Sequence, residues 1–307
     1  MEMLSASSEP SVAALNGKAS AHPADGWRAR LELGFEADAA RTVLRHRRHV
    51  GPLTVQRGFH PEGAPCHSYL LHPPGGVVGG DRLELDVSVA DRAHALITTP
   101  AAGKFYRSAG PWASQRQEFR VAPGAALEWL PALNIVHGGA RLQLRSRFDL
   151  AAGSRLIAWD LLGLGRPGSG DAFLEGAVDS RLDLLHAGRP LLSERLLLDG
   201  GAAALSAPWG LQGHGYLATL LAWPANRSTV DALRDSLGTA PGLRWGCTLL
   251  PAGAACAPDP SSEPGLLVCR WLARAGEALW EALLRAWSLL RPLVLGREPC
   301  APRIWST

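Results

Sequence analysis

The sequence predicts a mainly β protein, built as a helix-like winding of many short β-strands with a small C-terminal α+β portion that contains two α-helices. Between residues 26 and 213, short segments alternate apolar and polar residues and are separated by turn signals, as in all-β domains. Two of these segments, VAPGAALEWL and LAAGSRLIAWD, resemble each other. Such a weak internal repeat is typical of coiled or stacked strands. After residue 214 two segments carry apolar residues at helical spacing, which predicts an α+β portion over residues 214–307.

The strand segments follow one another at short intervals through the predicted β-rich scaffold, residues 26–213. They are RARLELGFE, LTVQRGF, CHSYLLH, RLELDVSV, HALITT, QRQEFRV, ALEWLP, RLQLRSRFDL, RLIAWDLLG, AVDSRLDLLH and LLSERLLLD. Turn signals such as APGA, AAGS, HAGRP and DGGA separate many of them. In the C-terminal portion, GLRWGCTLLP and GLLVCRWLA are predicted as further strands.

Two segments of the C-terminal portion are predicted as helices. RSTVDALRDSLG places Val230, Leu233 and Leu237 on one face and ends at a glycine. GEALWEALLRAWSLLRP carries a stripe of Leu, Ala and Trp residues at helical spacing and is expected to stop at Pro292. This stripe is more typical of a core face than of a groove for a partner.

The composition indicates a globular protein rather than a nucleic-acid or membrane protein. Of 307 residues, 47% are hydrophobic and 19% charged, which is enough to bury a sizeable core. A net charge of +3 is too small to predict nucleic-acid binding, and no run of about 18 apolar residues predicts a membrane span. The five cysteines form no CxxC pair, which favours reduced thiols and a cytoplasmic location. Residues 1–25 lack the pattern of a secretory signal and are predicted to be a disordered extension.

The segment HPPGGVVGGDRL, residues 72–83, is glycine-rich but does not match a phosphate-binding loop. Gly80 is followed by Asp81 and Arg82 instead of the Lys and hydroxyl residue that phosphate and Mg²⁺ require. The residues that follow alternate as a strand, whereas a dinucleotide loop would open a helix. We therefore predict a strand-to-strand turn in which glycines adopt positive φ, with Asp81 at its end.

Two groups of histidines and cysteines are candidate metal ligands. His46 and His49 have the spacing of a metal pair on a helix, but the arginines around them would repel a cation, so a solvated face is favoured. On a strand, Cys66 and His72 share a face while His67 points the other way. Such ligands suit nickel, copper or zinc, yet no fourth ligand accompanies them, and a packed strand is the favoured alternative.

Three acidic residues are the main candidates for function. Asp81 ends the glycine turn, while Asp160 and Glu194 lie in apolar strand segments, where a carboxylate is costly unless it is paired. One interpretation is a set of structural ion pairs, with Arg166 and Arg195 as partners close in sequence. The other is a line of carboxylates along an internal path for a cation.

Several long motifs resemble the urease accessory protein UreD (UreH) family, over a span from about residue 26 to the C-terminus. They are GWRARLELGF, RTVLRHRRHVGPLTVQRGFHPEG, CHSYLLHPPGGVVGGDRL, TTPAAGKFYRS, LEWLP, WDLLGLGRPGSGDAF, PLLSERLLLDGG and PRIWST. The resemblance implies a helix-like winding of β-strands with two C-terminal α-helices, in agreement with the prediction above.

The resemblance implies a role rather than a reaction. Members of the family are scaffold metallochaperones that join UreF and the GTPase UreG and dock them on urease apoprotein, so that nickel reaches the urease active site. No tightly bound cofactor is expected, and Asp81, Asp160 and Glu194 would line a transient nickel path. Two alternatives from other classes are a nickel-storage protein and a hydrolase that uses Asp160 and Glu194 as an acid–base pair.

The chain departs from the family pattern at a few positions. Ala132 and Leu133 replace a polar pair, and His137 replaces an aromatic residue. Gly103 lies where Ser or Thr is common, and Gly163 where Cys is frequent. These departures leave open whether residues 132, 133 and 137 contribute to docking or metal transfer.

Overall fold

The computed structural model describes residues 26–252 and 264–306. The predicted disordered extension and Cys256 lie outside these ranges. The strands are β1 (Arg28–Asp38), β2 (Arg41–Val50), β3 (Thr54–Val55), β4 (Cys66–Leu71), β5 (Arg82–Val89), β6 (His94–Thr98), β7 (Gly103–Phe105), β8 (Ala113–Val121), β9 (Ala126–Leu130), β10 (Asn134–Val136), β11 (Arg141–Leu150), β12 (Arg155–Leu164), β13 (Ala177–His186), β14 (Arg189–Asp199), β15 (Tyr216–Ala225), β16 (Leu243–Pro251) and β17 (Gly265–Ala273). The α-helices are α1 (Arg227–Leu237) and α2 (Gly276–Leu290).

Two sheets hold almost all of these strands. The first has the order β14-β13-β11-β8-β5-β1-β2. Its five central strands, β13, β11, β8, β5 and β1, are parallel, and the edge strands β14 and β2 are antiparallel to their neighbours. The second has the order β16-β17-β15-β12-β9-β6-β4-β3. In it, β4, β6, β9 and β12 run parallel, whereas β15, β17 and β16 are antiparallel.

The parallel strands arise from a coil of the chain. Strands β5, β8 and β11 of the first sheet are each followed in sequence by β6, β9 and β12 of the second. The chain therefore passes from one sheet to the other in each turn and then stacks on the turn before. This solenoid-like arrangement confirms the predicted helix-like winding of strands.

Apolar side chains fill two layers, one between the sheets and one between the second sheet and the helices. The layer between the sheets includes Phe119, whose ring stacks on Phe148 at 4.7 Å and lies 4.9 Å from Trp129. These three rings come from β8, β9 and β11 of the coil. Stacked aromatic residues at adjacent strands stabilise such a winding beyond the area they bury.

The two helices cover the outer face of the second sheet, and the apolar stripe of α2 forms a core face, as predicted. Helix α1 begins with a capping box between Asn226 and Thr229 and buries Val230 and Leu233. Helix α2 buries its stripe, and its α-helical turns end at Leu290, two residues before the proline. In the described part of the chain, no helix is long and apolar enough to cross a membrane.

Strand β15 was not among the predicted strands. Its residues, Tyr216–Ala225, are nearly all apolar and do not alternate. The structure explains this pattern, because β15 has the apolar layer between the sheets on one face and the helices on the other. A strand buried on both faces loses the alternation that identifies half-exposed strands.

Candidate functional site

The inner face of the first sheet carries a row of polar residues. On β11 the inward positions are apolar except at Ser146, which pairs with Gln117 of β8 in the parallel register. On its other side Ser146 pairs with Leu182 of β13, which in turn pairs with Glu194 of β14. Because directly paired residues point to the same face of a sheet, these side chains all project into the interior.

The second sheet carries a matching row. Asp160 of β12 pairs with Thr219 of β15, and Thr219 pairs with Arg270 of β17. Residues two positions away on these strands, such as Leu162 and Leu221, belong to the apolar layer between the sheets. The second row therefore faces the first across the interior. Together they are named the facing polar rows: Gln117, Ser146 and Glu194 on one sheet, and Asp160, Thr219 and Arg270 on the other.

Two contacts join the facing polar rows. Near the middle, the Ser146 hydroxyl donates to Gln117 Oε1 at 3.1 Å and lies close enough to Asp160 to lower the pKa of its carboxyl. At the edge, the Arg270 guanidinium donates to both oxygens of Glu194, with Nε 3.3 Å from Oε1 and Nη2 2.5 Å from Oε2. Polar contacts thus cross an otherwise apolar layer at two places.

Among the charged groups of the facing polar rows, the charge of Asp160 is the least compensated by its neighbours. Burial raises the pKa of Asp160 to about 6, and the hydrogen bond from Ser146 opposes this increase. Within residues 26–252 and 264–306, no Lys, Arg or His forms an ion pair with it. The Asp160 residue is half-buried, and a carboxylate shielded from water without a cation is costly, so a cation that reached it would lower this cost.

The facing polar rows connect two cavities. Asp160, Glu194 and Arg270 line one of about 460 Å³ near the edge of both sheets, which we name the acid cavity. The other, of about 350 Å³, is named the amide cavity, since Gln117 lines it together with Gln115 and Asn134. Ser146 lies between Gln117 in the amide cavity and Asp160 in the acid cavity.

Both cavities reach the protein surface and combine apolar walls with a few polar groups. The exposed Lys104 lines the amide cavity, and the exposed Arg270 lines the acid cavity. The indole Nε1 of Trp129, which also lines the amide cavity, is buried without a hydrogen-bond partner. Space for water next to such a group is consistent with a wet interior route.

Comparison with known proteins identifies the family. The family model described as UreD urease accessory protein matches residues 27–306. The chain belongs to the UreD urease accessory protein family. It is 54% identical over 282 residues to the urease accessory protein UreD of Alkalilimnicola ehrlichii, covering 92% of both chains. It is 48% identical to the UreD of Pseudomonas entomophila and 43% identical to that of Klebsiella pneumoniae, covering 92% of this chain and 95% and 96% of theirs.

Asp81, the third predicted carboxylate of this UreD-family chain, lies apart from the other two. Its Oδ1 accepts a hydrogen bond from the Trp27 N–H and its Oδ2 accepts one from the Val78 N–H, both at 2.9 Å. It lines a third cavity of about 210 Å³ with His72, which also lines the amide cavity. The structure thus brings Asp160 and Glu194 together but assigns both oxygens of Asp81 to backbone contacts.

The loop that holds Asp81 is the predicted strand-to-strand turn. It joins β4 to β5 and contains glycines at positive φ, among them Gly80 at 96°. A side chain at Gly79 would collide with Ser108. The glycines therefore serve the sharp turn and a close approach of neighbouring loops.

The histidine and cysteine candidates do not form a metal site. His46 and His49 are exposed on strand β2, where residues three apart face opposite sides, so the predicted solvated face is confirmed. Cys66 is buried beside Ser68, and His67 pairs with Glu62 at 2.7 Å. In the described residues, no three His, Cys, Asp or Glu side chains are placed to hold a metal ion together.

The proposed arginine partners were wrong. Arg195 pairs with Asp179 at 2.9 Å on the outer face of the first sheet, because neighbouring residues on a strand point in opposite directions. Arg166 contacts Asp171 through its backbone N–H. The partner of Glu194 is Arg270, which is 76 residues away in sequence and lies on the other sheet.

A second charged cluster, centred on Glu128, was missed. Glu128 is fully buried in β9 and accepts from Trp287 Nε1 at 2.7 Å and from Arg291 Nε at 3.1 Å. His94 Nε2 lies 2.8 Å from its other oxygen. These contacts fasten the end of α2 to the sheet. The sequence indicates this cluster only through a glutamate inside the apolar strand ALEWL, because the partners of Glu128 are distant in sequence.

The departures from the family pattern have local explanations. A Cβ at Gly163 would lie 3.3 Å from Leu133 Cδ2, so Leu133 occupies space that a larger residue at 163 would need. At Gly103 a Cβ would lie 2.6 Å from Asn134 Oδ1. His137 stacks on Tyr106 with ring centroids 5.1 Å apart, which preserves the ring contact expected of an aromatic residue.

Proposed function

We propose that this protein is a cytoplasmic scaffold and metallochaperone that joins UreF and UreG to urease apoprotein and provides an internal route for Ni²⁺. The observation that carries the proposal is the pair of facing polar rows, which crosses an apolar core and links two cavities that reach the surface. A purely structural core would not need polar groups at these inward positions.

The chemistry of the rows suits a passing divalent cation. Nickel accepts oxygen ligands from carboxylates, amides and water, and without thiolates such a route would not trap it. Asp160, with its pKa raised to about 6 by burial, is mostly ionised at neutral pH and has no cation of its own among the described residues. An arriving Ni²⁺ would compensate the buried charge and then move on to Glu194 or to the amides.

The site favours neither alternative function. A storage protein needs groups of ligands that hold nickel tightly, and the described residues contain no cluster of three His, Cys, Asp or Glu side chains for this purpose. In this structure both oxygens of Glu194 accept from Arg270, so Asp160 and Glu194 are not arranged as an acid–base pair while this ion pair is closed. We therefore assign no reaction to the chain.

Coexpression with UreF, UreG and the urease subunits tests the scaffold role. We expect one complex that contains all the accessory proteins on urease apoprotein when analysed by size-exclusion chromatography with light scattering. The control is the same expression without this chain, in which UreF and UreG should elute apart from urease. Elution of the chain apart from UreF at micromolar concentration would contradict the proposal.

A further inference from the structure

The Glu194–Arg270 ion pair connects the two sheets at the rim of the acid cavity. Glu194 lies on β14, the edge strand of the first sheet, and Arg270 lies on β17 of the second. The guanidinium donates to both carboxylate oxygens, so each oxygen of Glu194 already accepts a charge-assisted hydrogen bond. In this arrangement Glu194 is not free to coordinate a metal ion.

The pair is placed where it can open. The Arg270 side chain is 48% exposed and that of Glu194 is 32% exposed, and Asp160 lines the same cavity. Ion pairs this accessible to water contribute little to stability and are exchanged readily. An arginine released from Glu194 can extend into solvent, where its charge is well hydrated.

We propose that Arg270 is a latch on the nickel route: it closes the acid cavity by holding Glu194, and a divalent cation opens the route by taking Glu194 in its place. This inference rests on the proposed function. A monovalent cation would bind the Glu194 carboxylate little more strongly than the Arg270 guanidinium does, because both carry one positive charge. Ni²⁺ carries twice the charge and coordinates the carboxylate oxygens directly. The latch would therefore favour divalent over monovalent cations.

Titration of NiCl₂ into the full chain by calorimetry tests the latch. Arg270→Gln frees Glu194, and we expect Ni²⁺ to bind up to about fivefold more tightly, equivalent to about 1 kcal/mol. The double variant Glu194→Gln/Arg270→Gln should lose this gain. Arg270→Lys keeps the positive charge but cannot contact both carboxylate oxygens at once, so its gain in Ni²⁺ affinity should be intermediate. This variant also tests the latch if Arg270→Gln fails to fold.

Arg244→Gln is the matched control, because Arg244 lines the same cavity and is exposed. An equal gain in that variant would mean a general effect of charge and would overturn the latch. Unchanged Ni²⁺ affinity in folded Arg270→Gln or Arg270→Lys would also overturn it. If only the latch is wrong, Asp160→Asn still lowers the nickel content of urease; if the route itself is wrong, Asp160→Asn leaves that content unchanged.

Discussion

The Ser146 hydroxyl donates its one proton to Gln117 Oε1 at 3.1 Å and lies next to the carboxylate of Asp160. When Asp160 is ionised, the hydroxyl can turn toward the carboxylate and stabilise it instead. When Asp160 is protonated, the acid can donate to Ser146, and Ser146 can donate to Gln117. The state of Asp160 thus sets the direction of hydrogen bonding between the two cavities.

The first prediction concerns the stability of Asp160→Asn as a function of pH. Burial raises the pKa of Asp160 from its ordinary value of 3.8 to about 6, so the folded state disfavours the ionised form. The wild-type protein therefore loses free energy of unfolding as pH rises from about 4 through 6, by about 3 kcal/mol in total. Because asparagine does not ionise, the variant should be more stable than wild type at neutral pH and similar to it near pH 4.

Chemical denaturation at both pH values measures this difference. Asp91→Asn, at an exposed residue of the turn between β5 and β6, is the control and should leave the stability difference near zero at both pH values. Equal destabilisation of Asp160→Asn at neutral and acidic pH would contradict the raised pKa, because a raised pKa makes the difference from wild type depend on pH.

Asp81 is predicted to serve the fold. Asp81→Ala removes the acceptor for the Trp27 and Val78 N–H groups and should lower the free energy of unfolding by about 1–3 kcal/mol. Asp81→Asn keeps one acceptor oxygen and should lose less. Thermal unfolding of the chain in its complex with UreF would reveal the effect; unchanged stability in Asp81→Ala, together with reduced nickel delivery, would instead support a direct role for this carboxylate.

The Glu128 cluster is predicted to hold α2 on the second sheet. Arg291→Met leaves Glu128 buried beside a neutral side chain, and loss of one partner of such a pair costs about 3–5 kcal/mol. Tryptophan fluorescence should report the change, because Trp287 donates to the same carboxylate. The control, Arg285→Met, alters an exposed arginine of the same helix and should be nearly neutral. Equal effects of the two substitutions would contradict this role.

The coil and the helices were predictable because their signals are local. Alternation marks the half-exposed strands, such as β11, and capping and apolar stripes mark α1 and α2. Strand β2 escaped prediction because its run of exposed arginines and histidines resembles any solvated segment. At this sheet edge the charges have a physical purpose, since they discourage pairing with another chain.

The candidate site was predictable only in part. Asp160 and Glu194 were recognised because each interrupts an apolar strand, and Ser146 and Gln117 interrupt the inward faces of β11 and β8 in the same way. What the sequence does not contain is the register between strands. Arg270 becomes the partner of Glu194 only because β14 and β17 meet across the interior, which local patterns do not encode.

The nickel content of urease tests the internal route most directly. Urease is coexpressed with UreF, UreG and either the wild-type chain or Asp160→Asn/Glu194→Gln, and nickel per active site is measured after purification. We predict that the double variant still forms the complete complex but delivers severalfold less nickel. Asp91→Asn/Glu277→Gln, which makes the same charge change at exposed residues, should match wild type. Full nickel loading by Asp160→Asn/Glu194→Gln would contradict the proposed route through the facing polar rows.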